Sequence, residues 1–300
     1  MFTFRLALTL LIAALAAALI TPFVAPAVAW AGFHFPFPRI FDRVVMVTLL
    51  VAILWESREL NLLRRLRAGF AQPLSSLPAV VCGFMIGGAA MGVLWELAWL
   101  IAPLSARAYP ASLMINLVLS IIPALIIAII EEGFFRAFLL DGITEDFGRP
   151  IGLVASSVVY AAAHLVRSPA RFQVVGIHPL LGLQTLAASL GQLGHPIAAA
   201  PGLLGLFLLG LLLAAAFIRT GRVYFPIGLH ASVIVGAKAW RKFAPGAQSA
   251  PGWLSGYGRP PLISGAAAWV ITLALLIVVS RFSKRDQASS LPPALAAEDR

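Results

Sequence analysis

Residues 111–140 read ASLMINLVLSIIPALIIAIIEEGFFRAFLL. The run is apolar almost throughout and long enough to cross a bilayer, yet it carries Glu131, Glu132 and Arg136. An acidic residue near the middle of a transmembrane helix costs about 2.5–3.5 kcal/mol on insertion scales. Two of them, with an arginine one turn on, mark this helix as a functional element whose partners lie on its neighbours. The competing account is a buried ion pair that only fixes helix packing.

The rest of the chain repeats the apolar theme. Of 300 residues, 60% are hydrophobic and 11% charged, against about 25% charged in soluble domains. The apolar runs are continuous rather than alternating, which argues against a β-barrel and predicts helices. The expected architecture is all-α: a polytopic membrane helix bundle of about eight transmembrane helices, near residues 5–28, 41–55, 77–103, 111–140, 150–166, 199–218, 224–240 and 262–280. Residues 1–282 read as a single transmembrane domain, and the polar stretch 283–300 as a disordered cytoplasmic tail. The run from Leu6 to Trp30 is longer than the apolar part of a signal peptide, so the first helix is expected to be retained.

The net charge of +10 does not point to nucleic acid, because the basic residues are spread over the loops between apolar runs, where they orient helices. Residues 56–67 place apolar side chains at helical spacing among Arg58, Arg64, Arg65 and Arg67, the pattern of an amphipathic surface helix. If that cluster is cytoplasmic, both termini are too, although Lys238, Arg241 and Lys242 then fall on the opposite side. A multi-pass protein of the cell (inner) membrane is the expected setting. Cys82 is the only cysteine, so no internal disulfide forms. Residues 167–198 read either as an interfacial or re-entrant segment or as a plain loop; His178 and His195 there, and His34, are read as ordinary loop histidines. Glu96, within the third run, has no firm role.

The polar residues inside the apolar runs can be placed relative to one another. Glu132 and Arg136 are four apart with the acid first, the favourable order for an ion pair on one helix face. Glu131 is rotated about 100° away, which leaves it free for chemistry. The chain turns at Phe147-Gly148, and Glu131 and His164 lie about 16 residues to either side. At about 1.5 Å rise per residue, an antiparallel pair of helices brings carboxylate and imidazole to the same depth. Tyr160 shares the face of His164. His230, in the seventh run, is the other histidine within an apolar span. A glutamate and two histidines in apolar surroundings suit either a general base acting on a water held by the histidines, or a divalent metal such as zinc bound by Glu131, His164 and His230.

Three motifs now stand in order: Glu131-Glu132-Gly-Phe-Phe-Arg136, Tyr160-Ala-Ala-Ala-His164 and His230-Ala-Ser-Val-Ile234. With Gly210-Leu-Leu-Leu, Arg219-Thr-Gly and Pro226-Ile-Gly-Leu-His-Ala around them, residues 121–236 resemble the CAAX-prenyl-endopeptidase and bacteriocin-processing family of intramembrane proteases, type II CAAX endopeptidases included. Its pattern is Glu-Glu-x-x-x-Arg, Phe-x-x-x-His and His-x-x-x-Asn on successive helices. The resemblance implies that Glu131 activates a water, His164 helps hold it and His230 stabilises the oxyanion, while Glu132 and Arg136 shape the site. It implies no cofactor, and substrates that are membrane-tethered peptides or proteins, prenylated or leader-bearing. Two residues depart from the pattern: Tyr160 stands for Phe, and Ile234 stands for Asn.

Two other classes of function compete. A catalytically impaired scaffold, with an immunity or regulatory role, fits the loss of Asn at position 234. A proton-coupled transporter using Glu131, Glu132 and His164 fits the acidic pair but lacks an inverted repeat. No His-Glu-x-x-His occurs, nor a Gly-x-Ser in any span, which argues against zinc-motif and serine intramembrane proteases.

Overall fold

The computed structural model describes residues 1–101, 111–166, 172, 174, 176–243, 250–258 and 260–281. The expected tail at 283–300 lies outside them. Among the described residues every regular element is helical. The eight apolar runs appear as α1 (Phe2–Trp30), α2 (Phe37–Trp55), α4 (Leu77–Ile101), α5 (Ala111–Glu132), α7 (Arg149–Leu165), α9 (Pro196–Thr220), α10 (Tyr224–Phe243) and α12 (Ala266–Arg281). Between them lie the shorter α3 (Leu62–Gly69), α6 (Asp141–Phe147), α8 (Leu181–Ser189) and α11 (Gly252–Ser255).

The expected count of about eight crossings is only partly met. Four helices among the described residues are long and apolar enough to cross a membrane: Phe2–Trp30, Leu74–Ala98, Leu117–Phe147 and Ile197–Thr220. The third is α5 continued through α6 without a break. The shortfall has a physical reason. Helix α2 carries Arg39, Asp42 and Arg43, α10 carries His230, Lys238 and Arg241, α12 is short, and α7 has 17 residues, about 25 Å of helix for a hydrocarbon core of about 30 Å.

Helix α5 shows how the bundle sorts its surface. Ile115, Val118, Ile122 and Ile126 are exposed along one face, while Ala124 and Ala128 are fully buried on another. Bulky apolar side chains face outward and small ones let backbones approach, the membrane pattern. Ala124 and Ala128 join a buried cluster with Ile227 and Ala231 of α10, so α5 and α10 are in close contact just below Glu132 and His230.

Helix α10 is held more closely still against α4. A Cβ built on Gly228 falls 1.9 Å from the Val80 carbonyl oxygen, and one on Gly83 falls 2.2 Å from the Phe225 carbonyl oxygen. Gly83 and Gly87 are four apart on α4, and Gly87 faces Leu229 and Ser232 in the same way. Close backbone contact of this kind needs residues without side chains on both helices. It fixes the height and rotation of α10, and with them the aim of His230.

One end of the bundle is tied by charge. Arg65, expected on the surface of an amphipathic helix, is 3% exposed: its guanidinium bonds Asp141 and Glu145 of α6 and the Leu60 carbonyl oxygen. The α3 helix is shorter than the 56–67 segment expected, starting at Leu62 after a turn at residues 56–61. Its arginine turns inward because two carboxylates distant in sequence meet it there. The backbone N–H groups of Phe2 and Thr3 donate to the Asp146 carboxylate at 3.1 and 2.7 Å, capping α1 from α6. Gly148, at φ +82°, turns the chain from α6 into α7 at the expected place. Within 167–198, residues 181–189 form α8, whose Gly182 lies against the Ala18 carbonyl of α1, so this part is neither exposed loop nor crossing.

Gly228→Ala forces the α4 and α10 backbones apart and is expected to cost about 1–3 kcal/mol, read as a lower unfolding midpoint in detergent. Gly88→Ala, where a Cβ meets nothing within 4 Å, leaves the midpoint unchanged.

Candidate active site

Glu131 and Glu132 occupy the last turn of α5, and the chain continues as a π-type helical segment, Gly133–Leu140. Its wider turns shift every later residue around the axis relative to an ideal α-helix, a distortion common beside functional sites. Glu132 extends the stripe Ala124, Ala128, Glu132 that faces α10. Glu131, one residue back, points toward α7.

Glu132 is fully buried and so is Arg136. The Arg136 Nε donates to Glu132 Oε2 at 3.0 Å, the ion pair expected from their spacing. The other carboxylate oxygen, Oε1, lies 2.8 Å from His230 Nδ1. An ionised carboxylate only accepts hydrogen bonds, so Nδ1 of His230 carries a hydrogen and donates. The remaining ring nitrogen, Nε2, is thereby aimed at the site. It lies 3.3 Å from the Tyr160 hydroxyl and 3.8 Å from Glu131 Oε2.

His164 is fixed in the same way. Its Nδ1 donates to the backbone carbonyl of Tyr160, one turn back, at 2.8 Å. A carbonyl cannot donate, so the hydrogen is again on Nδ1. The His164 Nε2 then stands 3.4 Å from Glu131 Oε2. The depth match of α5 and α7 across the Gly148 turn is realised, and Glu131 Oε2 faces the Nε2 atoms of two histidines from two other helices. Glu131 and His164 are 27% and 29% exposed, whereas His230 is almost closed off. The site is therefore closed on the His230 side and partly exposed on the Glu131–His164 side, with Glu131 Oε2 itself buried.

The closed side is aromatic. Tyr160 is buried, its ring edge-on to Phe135 and tilted against His164. The Arg136 guanidinium stacks over its face at 5.1 Å, a cation–π contact strengthened by the absence of water. Both terminal nitrogens of Arg136 are buried without a hydrogen-bond partner among the described residues.

Ile234 sits one turn beyond His230, partly buried in the apolar cluster that joins α5 and α10. It puts hydrocarbon where the motif has an amide. Lys238 is eight residues from His230, about 12 Å along the helix axis. Glu96 is exposed on α4.

The ligand set considered for zinc, Glu131, His164 and His230, does not fit a metal here. Among the described residues no group of three His, Cys, Asp or Glu side chains is placed to hold one, and the His230 Nε2 is engaged by Tyr160. No chemical step is routed through a metal below.

The bond from Glu132 to His230 was not evident in the sequence, where Glu132 had only Arg136 as partner. A signal existed: Glu132 follows Ala124 and Ala128 at four-residue spacing, a small-residue stripe that marks the face meeting another helix.

Residues 113–235 match the Rce1-like family model. That model is described as type II CAAX prenyl endopeptidase Rce1-like, and the family is one of membrane proteases. The Rce1-like stretch runs from α5 into α10 and contains Glu131, Glu132, Arg136, Tyr160, His164 and His230. It bears out the resemblance carried by the three motifs. Neither a curated protein nor a solved structure matches the chain.

Glu132→Gln leaves the buried Arg136 without a counter-charge. Breaking a buried pair from one side costs about 3–5 kcal/mol, whereas replacing both members by apolar residues is often neutral. The unfolding midpoint is expected to fall in Glu132→Gln and to recover largely in Glu132→Gln with Arg136→Met, measured by thermal unfolding in detergent.

Proposed function

We propose that this protein is an intramembrane endopeptidase that hydrolyses a peptide bond in membrane-tethered substrates. The observation that carries the reading is the approach of Glu131 Oε2 to the Nε2 atoms of His164 and His230, at 3.4 and 3.8 Å, from three separate helices of an apolar bundle. Three ionisable groups converging where charge is costly are best explained by a reaction that uses them. The Rce1-like stretch supports peptide bonds as the target, with prenylated or leader-bearing chains as the substrate class.

In this reading a water sits on the partly exposed side, between Glu131 and His164. Glu131 takes one of its protons as general base, and His164 Nε2 accepts a hydrogen bond from the other. The water oxygen adds to the carbonyl carbon, and the carbonyl oxygen becomes an oxyanion. His230, once it has taken a second proton from water onto Nε2, donates from there to that oxyanion while Nδ1–H stays on Glu132. As the intermediate collapses, Glu131 passes its proton to the amide nitrogen. The C–N bond breaks, leaving a carboxylic acid on one product and an amine on the other. Glu132 and Arg136 touch no substrate; they hold His230 in place and keep the site's net charge small.

The other reading that an observation favours is a non-catalytic scaffold, because Ile234 removes an amide from the site. One experiment separates the two. Purified protein in proteoliposomes is given a farnesylated peptide ending in Cys and three further residues, alongside a membrane-anchored leader peptide. Cleavage by wild type, lost by at least 10²-fold in Glu131→Gln and unchanged by chelator, is the expected result. An inert wild type made active by Ile234→Asn supports the scaffold.

A further inference from the structure

The two departures from the motif, Tyr160 and Ile234, flank the same imidazole. Ile234 lies one turn beyond His230 on α10 and offers no hydrogen bond. Tyr160 approaches from α7, and its hydroxyl reaches within 3.3 Å of His230 Nε2, the nitrogen assigned above to the oxyanion. The hydroxyl gained on one helix therefore sits beside the donor whose companion amide is lost on the other. We propose that the Tyr160 hydroxyl is the second oxyanion donor of this site, in place of the amide that Ile234 lacks. The inference rests on the protease reading of the same site.

The geometry carries this in three respects. The Tyr160 ring cannot drift, because Phe135, His164 and the Arg136 guanidinium all pack on it. The aim of the hydroxyl is thus set before substrate arrives, the condition for donors that stabilise a transition state. Second, only the hydrogen must move. In the free enzyme the hydroxyl shares a hydrogen bond with His230 Nε2. When an oxyanion forms beside Nε2, rotation about the Cζ–Oη bond turns the O–H toward it, with no change of side-chain conformer. The hydroxyl keeps its proton throughout; it contributes a hydrogen bond and no bond is made or broken at Oη. Third, the position is buried and dry, where a hydrogen bond to a developing charge is strongest.

Other polar groups near the site are less suited. Arg136 stacks over the face of the Tyr160 ring, and its Nε is held by Glu132. Lys238 is two turns away. Ser232, the nearest hydroxyl on α10, donates to the Leu229 carbonyl at 2.7 Å.

The test is steady-state cleavage of the farnesylated peptide in proteoliposomes by wild type, Tyr160→Phe, and Tyr160→Phe with Ile234→Asn. Glu131→Gln is the inactive control. Tyr160→Phe is expected to lower kcat about 10²–10³-fold with KM unchanged, the pattern of an interaction made only in the transition state. Its unfolding midpoint stays at the wild-type value, because phenylalanine keeps the ring contacts. The double variant restores the pairing of the motif and is expected to recover at least tenfold of the lost kcat. A purely structural tyrosine predicts neither the kcat-only loss nor the rescue by asparagine. Wild-type kcat in Tyr160→Phe, or a loss confined to KM, overturns the proposal while the Glu131 control leaves the protease reading standing. Cleavage unaffected by Glu131→Gln, or no cleavage by wild type, overturns the protease reading and this inference with it.

Discussion

Glu132 has no exposed atoms, and both of its oxygens are committed. One balances Arg136 within its own helix, and the other holds Nδ1 of His230 on α10. Burial without these partners would be prohibitive for a carboxylate. The requirement works in both directions: the carboxylate needs the two cations or donors, and they need it. That mutual dependence is why α5 and α10 must meet at one height and one rotation. The glycine contacts between α4 and α10 and the alanine stripe of α5 supply the close approach that lets them do so. The rest of the site follows, since fixing His230 Nδ1 points Nε2 at Glu131 and at Tyr160.

Much of this arrangement was legible in the sequence, for particular physical reasons. The Glu131–His164 meeting could be counted, because both helices rise by the same step from a turn that glycine marks at φ +82°. The Glu132–Arg136 pair could be read from spacing alone. What could not be read is what depends on rotation between helices far apart in sequence. Nothing in Gly133–Leu140 announces π-type winding, and nothing local tells which carboxylate His230 will find. Arg65 shows the same limit in a different place. Its position in a polar stripe says surface, and only the fold brings Asp141 and Glu145 over it. The number of crossings is not confirmed either: apolar runs predict helices well, but charges at the ends of α2 and α10 and the shortness of α7 set how many among the described residues qualify by length and apolarity alone.

The neighbouring glutamates have opposite surroundings, and that difference is the chemical content of the site. Glu132 is closed off and neutralised; it serves structure. Glu131 is partly exposed, and its Oε2, itself buried and without a hydrogen-bond partner among the described residues, faces the Nε2 atoms of His164 and His230. A motif that reads as two identical residues thus divides into a buried, paired carboxylate and a partly exposed one facing two histidines, by rotation of about 100° around one helix. The aromatic wall behind them has the same economy: one tyrosine orients His164 through its backbone carbonyl, engages His230 through its hydroxyl and stacks on Arg136 through its ring.

The central claim is that Glu131 delivers a water directly to a peptide bond, with no protein atom bonded to the substrate. Single-turnover hydrolysis of a tethered peptide in heavy-oxygen water, followed by mass spectrometry of both peptide and protein, tests it most directly. The account predicts one heavy oxygen in the new carboxylate after the first turnover and a protein of unchanged mass at every time point. A transient protein–acyl adduct, or a first turnover without hydrolysis, contradicts it.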